Sequence, residues 1–199
     1  MIRRTMRRAW PFALLLCGMP EGIAGQHVLI VYYSDTGHTA RLADAVATGA
    51  RTVVGSDVRL LSVDSVTHAD VAWADALIVG SPVHAANVSA PIARFLASLP
   101  FDGEMRDKIG AAFATAGGMS AGEETVQLAI LHAMLVYNMI VVGGPSWTEA
   151  FGASAVTIEP PFSDTAATAS IDSVFVEKGS KLGARVAGVA KLLRGTGGM

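Results

Sequence analysis

Cysteine is nearly absent from this chain: Cys17 is the only one among 199 residues. A disulfide framework and a cysteine-based metal site are both excluded. Charge is sparse too. Asp, Glu, Lys and Arg make up 16% of the residues, and no basic stripe runs along any segment, so nucleic acid is not an expected partner. No apolar run approaches the roughly 20 residues that a stable membrane span requires. Neither an H-E-x-x-H metal spacing nor a G-x-S-x-G nucleophile elbow occurs. Metal chemistry and hydrolysis are therefore not expected.

What the chain does have is core. Apolar residues account for 51%, and the length suits one domain. From residue 26, apolar strand-like runs alternate with helical periodicity. Strands are expected at 27–33, 58–63, 75–80, 109–115 and 139–143. Leu42, Ala43, Val46, Ala47 and Ala50 line one face of a first helix. Further helices are expected at 90–99, with Pro91 in its first turn, at 123–136, and at 175–193. The last should turn Leu182, Val186, Val189 and Leu193 inward. Ser81-Pro82 reads as the turn that ends the third strand, and 144–172 as an irregular link near the ligand end. Near-continuous apolar strands alternating with helices mean an α/β fold with a doubly wound parallel sheet of five strands.

The first 25 residues differ. Arg3, Arg4, Arg7 and Arg8 precede a short apolar stretch, and Ala24-Gly25 supplies small residues where cleavage could fall. This is the layout of a secretory signal, with Arg7-Arg8 faintly like a twin-arginine export signal. The equal alternative is an upstream start. The first reading implies export to the periplasm, the second a cytoplasmic protein. Removing residues 1–25 takes out four arginines and one glutamate, which leaves the body near −5. The expected organisation is 1–25 as this segment, 26–195 as the ligand-binding domain and 196–199 as a tail. A chain starting at Gln26 should then fold and bind its ligand as well as the whole.

The most informative stretch is Ser34-Asp35-Thr36-Gly37-His38-Thr39, between the first strand and the first helix. N–H groups at a helix N-terminus lack intrahelical partners, and the helix dipole adds positive potential. Gly37 allows close backbone approach, and Ser34, Thr36 and Thr39 carry hydroxyl donors. No lysine or arginine lies inside the loop, so it is neither a Walker A site nor a G-x-G-x-x-G loop. A cationless, hydroxyl-lined loop suits one terminal phosphomonoester, as in FMN. Asp35 should point to solvent, away from a phosphate. In open α/β sheets the ligand sits beyond the carboxyl ends of the strands. The loops 34–39, 81–87 and 115–122 should therefore meet.

These residues resemble the flavodoxin-like superfamily, and more closely the tryptophan-repressor-binding-protein type of NAD(P)H:quinone oxidoreductase. The resemblance is carried by Val28-Leu29-Ile30-Val31-Tyr32-Tyr33-Ser34 with Gly37-His38, by Ala45-Val46-Ala47-Thr48-Gly49-Ala50, and by Ala74-Asp75-Ala76-Leu77-Ile78-Val79-Gly80-Ser81-Pro82. Asn87-Val88-Ser89, Phe95-Leu96 and Met139-Ile140-Val141-Val142 continue it, over roughly residues 27–195. It implies strand order 2-1-3-4-5 and FMN held at its phosphate by residues 34–39. Ser81, Pro82, Val83, His84, Ala85 and Asn87, with Thr115, Ala116, Gly117, Gly118, Met119 and Ser120, would surround the ring. Tyr137 matches a family histidine or bonds a loop. Val83-His84-Ala85 replaces the family's Arg-aromatic pair, and 115–122 replaces a Gly-rich run.

The implied activity is hydride transfer from NAD(P)H through FMN to a quinone-like acceptor. No side chain is expected to be catalytic, because flavin N5 carries the hydride; His84 is either a modulator at the flavin edge or a solvent-exposed histidine. His38 is either a donor near the phosphate or a first-turn residue. His132, mid-helix, reads as a packed or surface residue. Met119 would cover the ring. Two rivals stay open: a flavodoxin-type one-electron carrier, and a redox-inactive interaction protein of this fold. The resemblance also implies a homotetramer or homodimer, with Phe95, Phe101, Met105 and Trp147 as candidates to complete a neighbour's pocket.

Overall fold

Val28, Leu29, Ile30 and Val31 are all fully buried and form the middle of β1 (His27–Tyr32). Burial on both faces is what a central parallel strand requires. The structure, a computed structural model, describes residues 25–162 and 169–196. The readings of the N-terminal segment, of 163–168 within the link and of 197–199 lie outside the described residues.

The other strands are β2 (Asp57–Ser62), β3 (Ala76–His84), β4 (Asn87–Val88), β5 (Ile109–Ala116), β6 (Ile140–Val141) and β7 (Ala153–Val156). The helices are α1 (His38–Arg51), α2 (His68–Trp73), α3 (Ala90–Ala97), α4 (Glu123–Val136) and α5 (Ser173–Thr196). The main path runs β2-β1-β3-β5-β6, all parallel. This is the expected order, with β5 and β6 as the fourth and fifth strands.

Alternation along β1 sorts the core into two layers. Val28 and Ile30 join Leu42, Val46, Ile78, Phe113, Leu182 and Val186 beneath α1 and α5. Leu29 and Val31 join Leu77, Val79, Ile92, Ile130 and Met134 beneath α3 and α4. All five α1 residues expected inward are buried. Val189 is partly buried, but Leu193 is 42% exposed, next to Arg194, which reaches Gly25 O and Asp75 before the starts of β1 and β3.

Two expectations about the sheet are corrected. Ser81-Pro82 is not a turn. β3 continues to His84, Pro82 lies opposite Thr115 of β5, and Val83 and His84 pair back on Val88 and Asn87. The reversal falls at Ala85 and Ala86, both with positive φ (49° and 58°), the backbone of a two-residue hairpin turn. Proline misled because it tolerates strand positions that have no ladder donor to supply.

The link after β6 is not wholly irregular either. β6 covers only Ile109 and Gly110 of β5; the chain then leaves the sheet and returns as β7 beside Phe113, Ala114, Thr115 and Ala116. The fifth position in the sheet is thus shared by two short strands. Phe95 and Met105 are core residues, which removes them as contacts for a neighbour, whereas Phe101 (73%) and Trp147 (88%) are exposed.

Candidate functional site

β1 delivers the chain to residues 34–37 at the sheet's carboxyl edge. Gly37 then caps α1 with φ +93°, a left-handed conformation that costs other L residues energy. A Cβ there would lie 2.6 Å from Cβ of Ala169, so the loop is closely covered at this point. The Gly37 N–H donates to the Ser34 hydroxyl at 3.0 Å, which leaves the serine proton for an outside acceptor. Thr36 Oγ1 lies 2.8 Å from His38 Nδ1. The first-turn N–H groups of α1 complete an anion cradle.

Thr39 is buried, and its hydroxyl lies 2.7 Å from that of Thr115 at the end of β5. One proton of the pair holds the two together; the other remains to be donated. This bond joins the first loop to the third. Asp35 joins the first to the second: its Oδ2 lies 2.9 Å from His84 Nε2, and its Oδ1 accepts the Tyr33 phenol proton. Asp35 is exposed as expected but does not extend freely into solvent. The carboxylate raises the Tyr33 pKa, chiefly through that hydrogen bond. His84 turns towards Asp35, and the Tyr33 ring meets it edge-on at 6.4 Å.

In the second loop Ser81 is buried, and its hydroxyl accepts the Ser89 N–H at 3.0 Å. Asn87 Nδ2 donates to the Ala85 carbonyl at 2.8 Å and so stabilises the hairpin turn. The hairpin tip rests on the third loop, where Gly122 caps α4: a Cβ on Gly122 would lie 2.8 Å from Ala86 Cα.

The third loop is held by a strap that the sequence reading did not single out. Ala116 O accepts from Thr157, Gly117 O accepts the N–H of both Ile158 and Glu159, and Met119 N–H donates to Glu159 Oε2 at 2.6 Å. Gly118 packs against the same carboxylate. Ser120 has φ +60°, and the Met119 side chain is 56% exposed at the rim. Tyr137 is placed elsewhere. It follows the C-terminal end of α4, whereas the third loop leads into its N-terminal end, and it donates to Leu96 O at 2.8 Å. Burial raises its pKa. His132 lies on the exposed side of α4.

The family model for NADPH-dependent FMN reductases matches residues 27–153. The chain belongs to the NADPH-dependent FMN reductase family. Among its relatives, a flavodoxin of Aquifex aeolicus is 39% identical over 133 residues, covering 63% of this chain and 72% of that protein. An NAD(P)H dehydrogenase (quinone) of Azorhizobium caulinodans is 34% identical over 141 residues, covering 59% and 70%. A WrbA-like flavodoxin of Agrobacterium tumefaciens superposes with TM-score 0.69 at 22% identity, covering 84% of this chain and 99% of that one. The fold is flavodoxin-like.

For a member of the FMN reductase family, the decisive question is whether these residues fit a flavin phosphate. They do. The cradle offers the left-handed Gly37 backbone, hydroxyls from Ser34 and Thr36, and a helix N-terminus, with no cation in the loop. The remaining two loops stand beside it, tied through Thr39–Thr115 and Asp35–His84. Among the described residues no helix is long and apolar enough to cross a membrane.

Proposed function

We propose that this protein binds FMN beyond the carboxyl edge of β1, β3 and β5 and reduces quinone-like acceptors with NAD(P)H. The observation that carries the reading is the junction of three loops at one sheet edge, with an anion cradle at the N-terminus of α1. FMN supplies the two-electron chemistry when bound. The chain's own residues bind and orient: residues 34–39 would take the phosphate, and the hairpin and the 115–120 loop would flank the ring. The 157–159 strap spends the Met119 N–H but fixes the backbone of the 115–120 loop, and a fixed loop needs little rearrangement when charge develops.

Thr36→Val tests the cradle. Losing a hydroxyl bond to a charged group costs about 1.5–3 kcal/mol, or roughly ten- to a hundredfold in FMN affinity. Titration by flavin fluorescence measures it, and unchanged affinity would remove this hydroxyl from the site.

The flavodoxin relative favours a second reading, a one-electron carrier. A carrier docks by charge complementarity, and a body near −5 with interspersed Lys and Arg suits that poorly. Anaerobic stopped flow separates the two. Rapid bleaching of the bound flavin by NADH or NADPH, in one two-electron phase, is the expected result; no reduction by either would favour the carrier or the redox-inactive reading.

The expected assembly is a homotetramer or homodimer. Exposed Phe101, with Val88, Leu96, Ala133 and Val136, lines an apolar groove between α3 and α4, and Trp147 stands out at the sheet edge. Light scattering with saturating FMN should give a multiple of 20.6 kDa. A monomer there would count against a pocket shared between subunits.

A further inference from the structure

We propose that Tyr33 and His84 are positioning residues that hold the Asp35 carboxylate away from the anion cradle of residues 34–39. They thereby keep the cradle open to a phosphate. This rests on the reading of that loop as the FMN phosphate site.

The problem they solve is set by the sequence. Asp35 stands three residues before His38, the first residue of α1. Aspartate in such a place bonds N–H groups two or three residues onward, as an Asx turn or an N-cap, and its charge is favoured at a helix N-terminus. A released Asp35 side chain is therefore a tethered anion, able to take the same donors that a phosphate needs.

In the structure neither carboxylate oxygen does so. Gly37 N–H goes to Ser34 instead, and α1 has no side-chain cap bond. Oδ1 is engaged by the Tyr33 phenol and Oδ2 by His84 Nε2 at 2.9 Å. The two restraining side chains come from the ends of β1 and β3 and touch edge-on, with ring planes at 88°. Both are anchored. Tyr33 N–H donates to Gly80 O, and the hairpin that carries His84 is fixed at its tip by Gly122. The raised pKa of Tyr33 keeps the phenol a donor; Asp64 acts in the same direction and Arg94 against it. The latch also leaves His84 facing Asp35, which gives it a place other than the flavin edge.

The test compares Kd for FMN and for riboflavin, which lacks the phosphate, using the full chain. Tyr33→Phe/His84→Ala releases Asp35 while keeping the Tyr33 ring. An N-cap interaction is worth about 1 kcal/mol and up to about 2, so FMN should bind about tenfold more weakly, with riboflavin little changed. Adding Asp35→Ala removes the competing acceptor oxygens and should restore FMN affinity at least to the wild-type value, whereas asparagine would cap the same N–H groups. A triple variant as weak as the double variant would overturn the proposal, because a merely structural link is not rescued by a neutral side chain at position 35. Equal losses for FMN and riboflavin would overturn it too. If the wild-type chain does not prefer FMN over riboflavin, the phosphate-site reading fails first, and this inference with it. Should the double variant not fold, Tyr33→Phe is compared with Tyr33→Phe/Asp35→Ala, with the same loss and the same rescue expected.

Discussion

Replacing Gly37 by valine is expected to abolish high-affinity FMN binding while leaving most of the fold intact. Two effects act on the same residue. The backbone at φ +93° suits glycine, and a left-handed conformation costs another residue about 1–2 kcal/mol, with a β-branched side chain at the upper end. The new Cβ would also meet Ala169 at 2.6 Å, so either Gly37 or the chain entering α5 must shift. A shift of Gly37 turns the loop and first-turn N–H groups of α1 away from a common focus. Misaligning two charge-assisted bonds at about 1.5–3 kcal/mol each lowers affinity by a hundredfold or more. Gly37→Ala keeps the close contact but lacks the branched carbons, so its loss should be smaller. Fluorescence titration gives the affinities, and circular dichroism checks the fold. Wild-type affinity in a folded Gly37→Val protein would place the phosphate elsewhere.

Much of this site was legible because its signals are local. A buried apolar strand, a glycine and hydroxyls before a helix lie within a dozen residues, and the physics of a helix N-terminus needs nothing more distant. The two-layer core was equally open, since alternation along β1 and the α1 face are short-range patterns. What escaped depends on pairings far apart in sequence. Nothing near Glu159 indicates that its carboxylate meets Met119, 40 positions earlier. Nothing in Ala153–Val156 says that it completes the sheet position left by two-residue β6. Ser81-Pro82 misled for another reason. The pair carries ordinary turn chemistry, while the real reversal uses two alanines at positive φ, a choice that pairing with β4 enforces over local preference. For Tyr137, the resemblance to a family histidine implies a place near the ligand, with a structural hydrogen bond as the alternative. Its position after α4 puts it at the opposite end of that helix from the loop, where it donates to Leu96 O.

The second large effect is expected at the contact between α1 and α5. Gly49 of α1 faces the Ser180 carbonyl of α5, and Gly183 of α5 faces the Val46 carbonyl of α1. A Cβ on either would fall well inside contact distance of a backbone oxygen, which has no rotamer to turn away. For Gly49→Ala two terms oppose. Alanine improves helix propensity by about 1 kcal/mol, whereas overpacking a closed core costs about 1–3 kcal/mol. Here the clash is backbone on both helices, so the upper end applies and destabilisation wins. A net loss of about 1–2 kcal/mol lowers Tm by roughly 2–8 °C for a domain of this size. Gly49→Val lacks most of the propensity gain and should fall further. Because relief requires α1 to move, and α1 carries the cradle at its other end, the variant should also bind FMN more weakly. Saturating FMN should then recover part of the lost Tm by mass action. A Gly49→Ala protein that melts at or above the wild-type temperature would show that α1 slides without cost. The cradle would then owe its position to the Thr39–Thr115 bond and not to this helix pair.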